Sequence, residues 1–187
     1  MDEAYVYPGT QTLINKQGIC DAGQLEKFER RVFVVRLETL PKQIQLTANG
    51  YRQIHRHLFP DVYEWAGKDR TVDTSKSGSY FCRAIYVGPE LEKRFEAIQG
   101  ENGLQGLRAD RFADRAAEHV AEVNAIHPFR EGNGRTLRAF LGILADHAGH
   151  AMDMTRIAPK AWNDASRESF RSGDRRFMLE VISGAMA

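Results

Sequence analysis

The chain has 187 residues, with 26 lysines and arginines against 25 aspartates and glutamates and a formal net charge of +1. That balance gives no bulk electrostatic case for direct nucleic-acid binding or a membrane-surface partner, and no apolar run approaches the roughly 20 residues of a membrane-spanning helix. Two cysteines, Cys20 and Cys82, supply neither a disulfide framework nor metal-ligand spacing, which fits a reducing, cytoplasmic setting.

The length suits one domain over residues 1–187, and no repeat, low-complexity tract or Gly/Ser/Pro linker divides it. Met1 to Ala4 carries no basic and apolar signal segment. Tyr5-Val6-Tyr7-Pro8-Gly9-Thr10 reads as an extended stretch and turn, within an arm of about residues 1–20. Asp21 can cap a helix of about 22–40, ended by Pro41, with Leu25, Phe28, Val32 and Val35 on one face. A second helix, from 47 or 48 to 59, presents Tyr51, Ile54 and Leu58. His55 and His57 are two apart, cannot share one metal, and read as surface residues. After Pro60, Val62 to Gly67 reads as a short helical turn stopped by the glycine.

From Arg70 to Val87 the helical pattern breaks. Thr71-Val72-Asp73 and Tyr80 to Val87 carry strand-type residues around a turn composition at 74–79, so a hairpin over about 70–87 is predicted. An isolated hairpin is marginally stable and presents a free edge. Pro89 sits near the start of a helix containing Leu91, Phe95 and Ile98 and ending near Gly100. Phe112, Ala116, Val120 and Val123 then recur at helical spacing, and Thr136 to Ala145 is almost continuously apolar, interrupted by Arg138. These are two buried helices, the second closed by Gly149. His147 and His150 straddle that glycine and make a poor zinc pair. Pro159 starts a helix whose Trp162, Ala165 and Phe170 pack against its neighbour, and Asp174 caps a last helix with Phe177 and Val181. The sum is an all-α domain with one β-hairpin.

Between the two buried helices stands His127-Pro128-Phe129-Arg130-Glu131-Gly132-Asn133-Gly134-Arg135-Thr136-Leu137-Arg138. Pro128 biases His127 out of the α region, so the first helix ends there. Gly132 and Gly134 permit positive φ and close approach of a ligand, and Gly134-Arg135 opens the next helix with free N–H groups, an anion-binding nest. Arg135 and Arg138, three apart, share a helix face and can grip one anion. Glu131 beside a phosphate site implies a hard cation between them, and Mg²⁺ fits. His127 is the one nearby group that titrates near neutral pH. A polyphosphate, a metal and a base together indicate transfer chemistry.

This stretch resembles the signature of Fic-domain enzymes, His-Pro-Phe-x-(Asp/Glu)-Gly-Asn-Gly-Arg-x-x-Arg, at every specified position. The resemblance implies a helical Fic fold and an adenylyltransferase that moves AMP from ATP to a Ser, Thr or Tyr hydroxyl of a protein. It implies His127 as general base, Glu131 as the Mg²⁺ ligand, Gly132, Asn133 and Gly134 around the phosphates, and Arg135 and Arg138 on the β- and γ-phosphates. Phe129 would anchor the loop. The hairpin would be a flap that holds the target by strand addition, with Phe81 as target contact. The opening arm resembles that of small bacterial Fic toxins.

Many Fic proteins carry an inhibitory Ser/Thr-x-x-x-Glu helix, and no glutamate here has Ser or Thr four residues before it. The resemblance therefore implies a toxin whose small antitoxin partner supplies that helix, with DNA gyrase and topoisomerase IV as targets. Alternatives are another nucleotide donor, a host-directed effector acting on small GTPases, and, from a different class, a non-catalytic nucleotide sensor. The intact His127 disfavours the sensor, since binding alone needs no base.

Overall fold

The computed structural model describes residues 4–76 and 78–186, so Met1 to Glu3 of the arm and Ser77 of the hairpin turn lie outside the described residues. Within them run seven α-helices: α1 Ala22–Glu38, α2 Ala48–Leu58, α3 Ala84–Gly100, α4 Ala109–Ile126, α5 Asn133–Ala148, α6 Pro159–Ser172 and α7 Arg176–Ala185. Single 3₁₀ turns lie at Asn102–Leu104 and Met154–Arg156. The sheet is a hairpin of β1 Ser75–Lys76 and β2 Ser79–Tyr80, antiparallel, with Ser75 opposite Tyr80. The fold is all-α with a small hairpin flap.

The helix α4 lies at the centre, against α3, α5, α6 and α7. Its buried face alternates Phe112, Val120 and Val123 with Ala113, Ala116 and Ala117, and the alanines let neighbouring backbones approach on several sides. The adjacent α5 buries Leu137, Phe140, Leu141 and Leu144. Where α2, α3 and α5 meet, the Tyr51 ring lies 5.5 Å from each of Phe95, Phe129 and Phe140. Phe129 thus ties the loop between α4 and α5 into the core.

Local signals set the helix ends. Asp21 and Thr47 accept from the amides of Gln24 and Gly50, capping α1 and α2, and Gly149 (φ 80°) closes α5.

Three expectations are corrected. The inward face of α1 is Leu25 and Glu29 with Phe28, Val32 and Phe33 beside them, while Val35 is 62% exposed. A charged residue belongs to the buried face because it has a buried partner, described below. The hairpin is shorter than its composition predicts: Ala84 to Val87 is helix, because Asp73 accepts from the Ala84 amide at 2.7 Å and caps α3 from eleven residues away. Pro89 consequently lies inside α3 and not at its start. Of the apolar residues of α7, Met178, Ile182 and Ala185 are buried and Phe177 is half exposed.

Phe129→Ala should cost about 3–5 kcal/mol, the range for emptying a buried aromatic site. Urea denaturation measures it, and a cost under 1 kcal/mol would mean the loop is not held by this ring.

Candidate active site

At the end of α4, His127 turns into the left-handed region (φ 51°, ψ 61°), a conformation that a non-glycine residue keeps only when its surroundings hold it. They do so through Arg70, a 2% exposed side chain. Its Nε donates to the His127 carbonyl at 2.8 Å and its Nη1 to the Val72 carbonyl at 2.7 Å. Its Nη2 donates to the carbonyls of Ile126 and Cys82, and its own amide to the Pro128 carbonyl. One guanidinium therefore joins the last turn of α4, the loop that follows it and both sides of the flap base.

The His127 ring is fixed as well. Its Nδ1 lies 3.3 Å from the Asn124 carbonyl. A carbonyl only accepts, so Nδ1 carries the proton of the neutral ring and Nε2 holds the lone pair. Phe81 stacks on the imidazole at 3.8 Å and 12°, and Phe170 of α6 stacks on Phe81 at 4.4 Å. Burial under this stack pushes the His127 pKa down to about 4, with Arg70 and Lys76 adding to the shift. The imidazole is unprotonated at neutral pH.

Three side chains shape the loop that follows. Asn133 closes its amide on the Phe129 backbone, accepting from N–H at 2.9 Å and donating to C=O at 2.6 Å. His55 accepts from the Gly67 amide at Nδ1 and donates from Nε2 to the Glu131 carbonyl, both at 2.9 Å. Gly132 takes φ 80°, and a Cβ there would stand 2.6 Å from the Phe59 ring. From this cap α5 begins, its Asn133, Gly134 and Arg135 amides making no intrahelical bond.

The loop forms one wall of a cavity of about 600 Å³, closed by the flap and by α6. Lys76 and five arginines line it against a single carboxylate, Glu131. Four atoms on its wall, Thr74 Oγ1, Arg138 Nε, Trp162 Nε1 and Ser166 Oγ, are buried without a hydrogen-bond partner among the described residues. Unpaired buried polar atoms cost about 1–3 kcal/mol each, so their gathering in one cationic cavity is the mark of a polar anionic ligand.

A model of the Fic/DOC family matches residues 45–145, which contain the motif loop, all of α4 and α5 as far as Ala145. The chain belongs to this family. It is 39% identical over 175 residues to a probable protein adenylyltransferase of Sinorhizobium fredii, covering 93% of this chain and 91% of that one. It is 31% identical over 188 residues to the probable protein adenylyltransferase Fic of Salmonella typhimurium, covering 99% and 92%. Among solved structures, the VirB-translocated effector BepC of Bartonella tribocorum, with bound AMPPNP, superposes with a TM-score of 0.94 at 28% identity, covering 100% and 98%. With such kin, this Fic domain is a protein AMP transferase.

The structure brings the residues expected from the sequence to one cavity: His127, Glu131, Gly132, Asn133, Gly134, Arg135, Arg138 and Phe81 all line it. Their postures differ from a simple cradle. The Asn133 side chain is spent on the loop itself, and only Gly132 of the two glycines has positive φ. Phe81 is 7% exposed and covers His127, while its neighbour Tyr80 is 74% exposed. Arg138 donates from Nη2 to the Ile157 and Met154 carbonyls and pairs with no carboxylate among the described residues; burial lowers its pKa. Arg135 is held by carboxylates instead, at 2.5 Å from Glu29 and 3.3 Å from Glu131.

Two residues that sequence reasoning missed are Arg70 and His55. His55, expected at the surface, is fully buried, its ring 3.9 Å from that of Phe129. Its position beside Ile54 and one turn from Tyr51 puts it on the apolar face of α2, the one signal available. Nothing local marks Arg70, whose partners are carbonyls up to 57 residues away.

His55→Phe keeps a ring but leaves the Glu131 carbonyl and the Gly67 amide unpaired, at about 1–3 kcal/mol per group. Thermal unfolding should report that loss. Burial also pushes the His55 pKa down to about 3, as it pushes His127 to about 4. Both folded-state values lie below the ordinary histidine value of about 6.5. Their contribution to stability is thus complete above about pH 6.5 and is lost as pH falls from there through 4 toward 3. Urea midpoints should fall between pH 7 and pH 4.5, and a flat profile would mean that neither ring is held neutral.

Proposed function

We propose that His127 Nε2 is the general base of AMP transfer to a protein hydroxyl, and that the carrying observation is its unprotonated Nε2 at the edge of a cationic cavity with unpartnered donors. The target hydroxyl attacks the α-phosphorus of ATP as His127 takes its proton. The bond from the α-phosphorus to the bridging oxygen breaks and pyrophosphate leaves. Little covalent help is needed in such a displacement, so positioning and charge stabilisation dominate. The amides at the start of α5, with Arg135 and Arg138, supply donors to the phosphate oxygens as charge moves to pyrophosphate.

Glu131 accepts from the Gly132 amide and from Arg135 at Oε1, while its Oε2 makes no hydrogen bond among the described residues. No group of three potential protein ligands gathers anywhere among them. One free carboxylate oxygen beside a phosphate site fits Mg²⁺, which takes most of its ligands from phosphates and water. When bound there, the ion would offset phosphate charge during transfer.

For the target, kinship with translocated Bartonella effectors supports an effector-type reading, in which the acceptor is a protein of another cell. The flap supports recognition by strand addition, since β2 is an edge and Tyr80 stands exposed upon it. A second reading keeps DNA gyrase or topoisomerase IV as targets, with an antitoxin helix supplying the acid that Arg138 lacks. Among the described residues no helix is long and apolar enough to cross a membrane.

Incubation with ATP labelled in the α-phosphate, in bacterial and in eukaryotic lysates side by side, tests both. A labelled band that His127→Ala reduces by about 10²–10⁴-fold is expected. Labelling only in the eukaryotic lysate supports the effector reading, and a band of topoisomerase-subunit size in the bacterial lysate supports the other. Label that persists in His127→Ala would overturn the base assignment. The pH dependence follows from the depressed base: kcat/KM should stay level from about pH 8 to pH 5.5 and fall as His127 protonates near pH 4. A fall beginning near pH 7 would place the free-enzyme base at an ordinary histidine value.

A further inference from the structure

Glu29 is the one acidic side chain in the buried class among the described residues, 7% exposed on α1. A buried carboxylate persists only with partners for its charge. Both of its oxygens have one: Oε1 lies 2.5 Å from Arg135 Nη2, and Oε2 accepts from the Tyr63 hydroxyl. The Arg135 guanidinium also lies over two aromatic rings, 4.8 Å from the Phe59 centroid and 5.4 Å from that of Phe33.

We infer that Glu29, itself anchored by Tyr63, is a positioning residue that holds Arg135 ready for the polyphosphate of the nucleotide. The inference rests on the reading above that Arg135 serves the phosphates. Both carboxylates engage the guanidinium through Nη2, so Nε and Nη1 keep their donors for another acceptor. Arg135 lines the cavity with its side chain 29% exposed, so those donors can meet a ligand while the Glu29 contact stays intact. The ring platform and the Tyr63 anchor restrict the arginine to one place, which lowers the ordering cost of binding. Arg138 has no such acid, so the two motif arginines differ in how firmly they are set before ATP arrives.

The opposite sign is physically distinct: were Glu29 a competitor that withdraws Arg135 from the phosphates, its removal would tighten ATP binding. Equilibrium binding of ATP, pyrophosphate and AMP to the whole chain separates the two, in wild type, Glu29→Gln, Tyr63→Phe, Arg135→Ala and the double variant Glu29→Gln/Arg135→Ala. Glu29→Gln is expected to weaken ATP and pyrophosphate roughly tenfold while AMP changes less than about twofold, with Tyr63→Phe shifting the same way by less. In the Arg135→Ala background, Glu29→Gln should add no further loss.

ATP binding unchanged or tighter in Glu29→Gln, or ATP and AMP weakened alike, overturns the inference. Should Glu29→Gln fail to fold, Tyr63→Phe carries the test, and unchanged discrimination between ATP and AMP there overturns it equally. If Arg135→Ala itself leaves that discrimination intact, the phosphate role of Arg135 falls, and the positioning role with it. A loss in Arg135→Ala without one in Glu29→Gln removes only Glu29.

Discussion

A helix that ends inside a protein leaves carbonyl oxygens that its own backbone cannot satisfy, and here the end of α4 must also hold His127 in the left-handed region. Arg70 resolves both demands with one buried guanidinium, donating to Ile126 and His127 on one side and to Val72 and Cys82 on the other. Its hydrogen-bond partners are neutral carbonyls, and its positive charge adds to the burial that lowers the His127 pKa. Burial lowers the Arg70 pKa, yet an arginine starts so high that it stays charged. The left-handed turn and the flap base share this one cause, and the lowered pKa of His127 owes first to burial and then to this charge.

Much of the remaining structure serves to keep a flexible stretch of loop rigid. Two glycines and an asparagine in sequence would wander in solution; closed on Phe129 by Asn133, pinned at the Glu131 carbonyl by His55 and pressed against Phe59 at Gly132, they do not. The consequence is a set of N–H donors that need not reorganise as charge develops, the condition under which such donors stabilise a transition state best. The stack of Phe81 and Phe170 extends the same logic to His127, fixing its ring plane. Phe81 also links the flap to the end of α4, since it follows β2 directly and stacks on His127.

Charge placement separates the two motif arginines. Arg135 stands between a buried acid and a cavity acid, over aromatic rings, while Arg138 leans on backbone carbonyls with one N–H unmet. The first is set by the protein and the second awaits a partner. That asymmetry is invisible in their spacing, which treats them as equivalent residues three apart.

The sequence by itself determined the family, because the residues that mark it are local. His127 through Arg138 lie in one unbroken stretch, and the apolar periodicity on either side fixes the helices that carry its two ends. The cap at Asp21 and the stop at Gly149 were legible for the same reason. What only the tertiary structure decided involves partners far apart in the chain: Glu29 with Arg135, His55 with Glu131, Arg70 with His127 and Asp73 with Ala84. Each polar residue read alone looks like solvated surface or turn, since burial of charge follows from a partner and not from the residue. The same reason separates Val35, apolar yet exposed, from Glu29, charged yet buried on the same helix. Periodicity orders side chains around an axis, but which side faces inward was settled by what stood opposite.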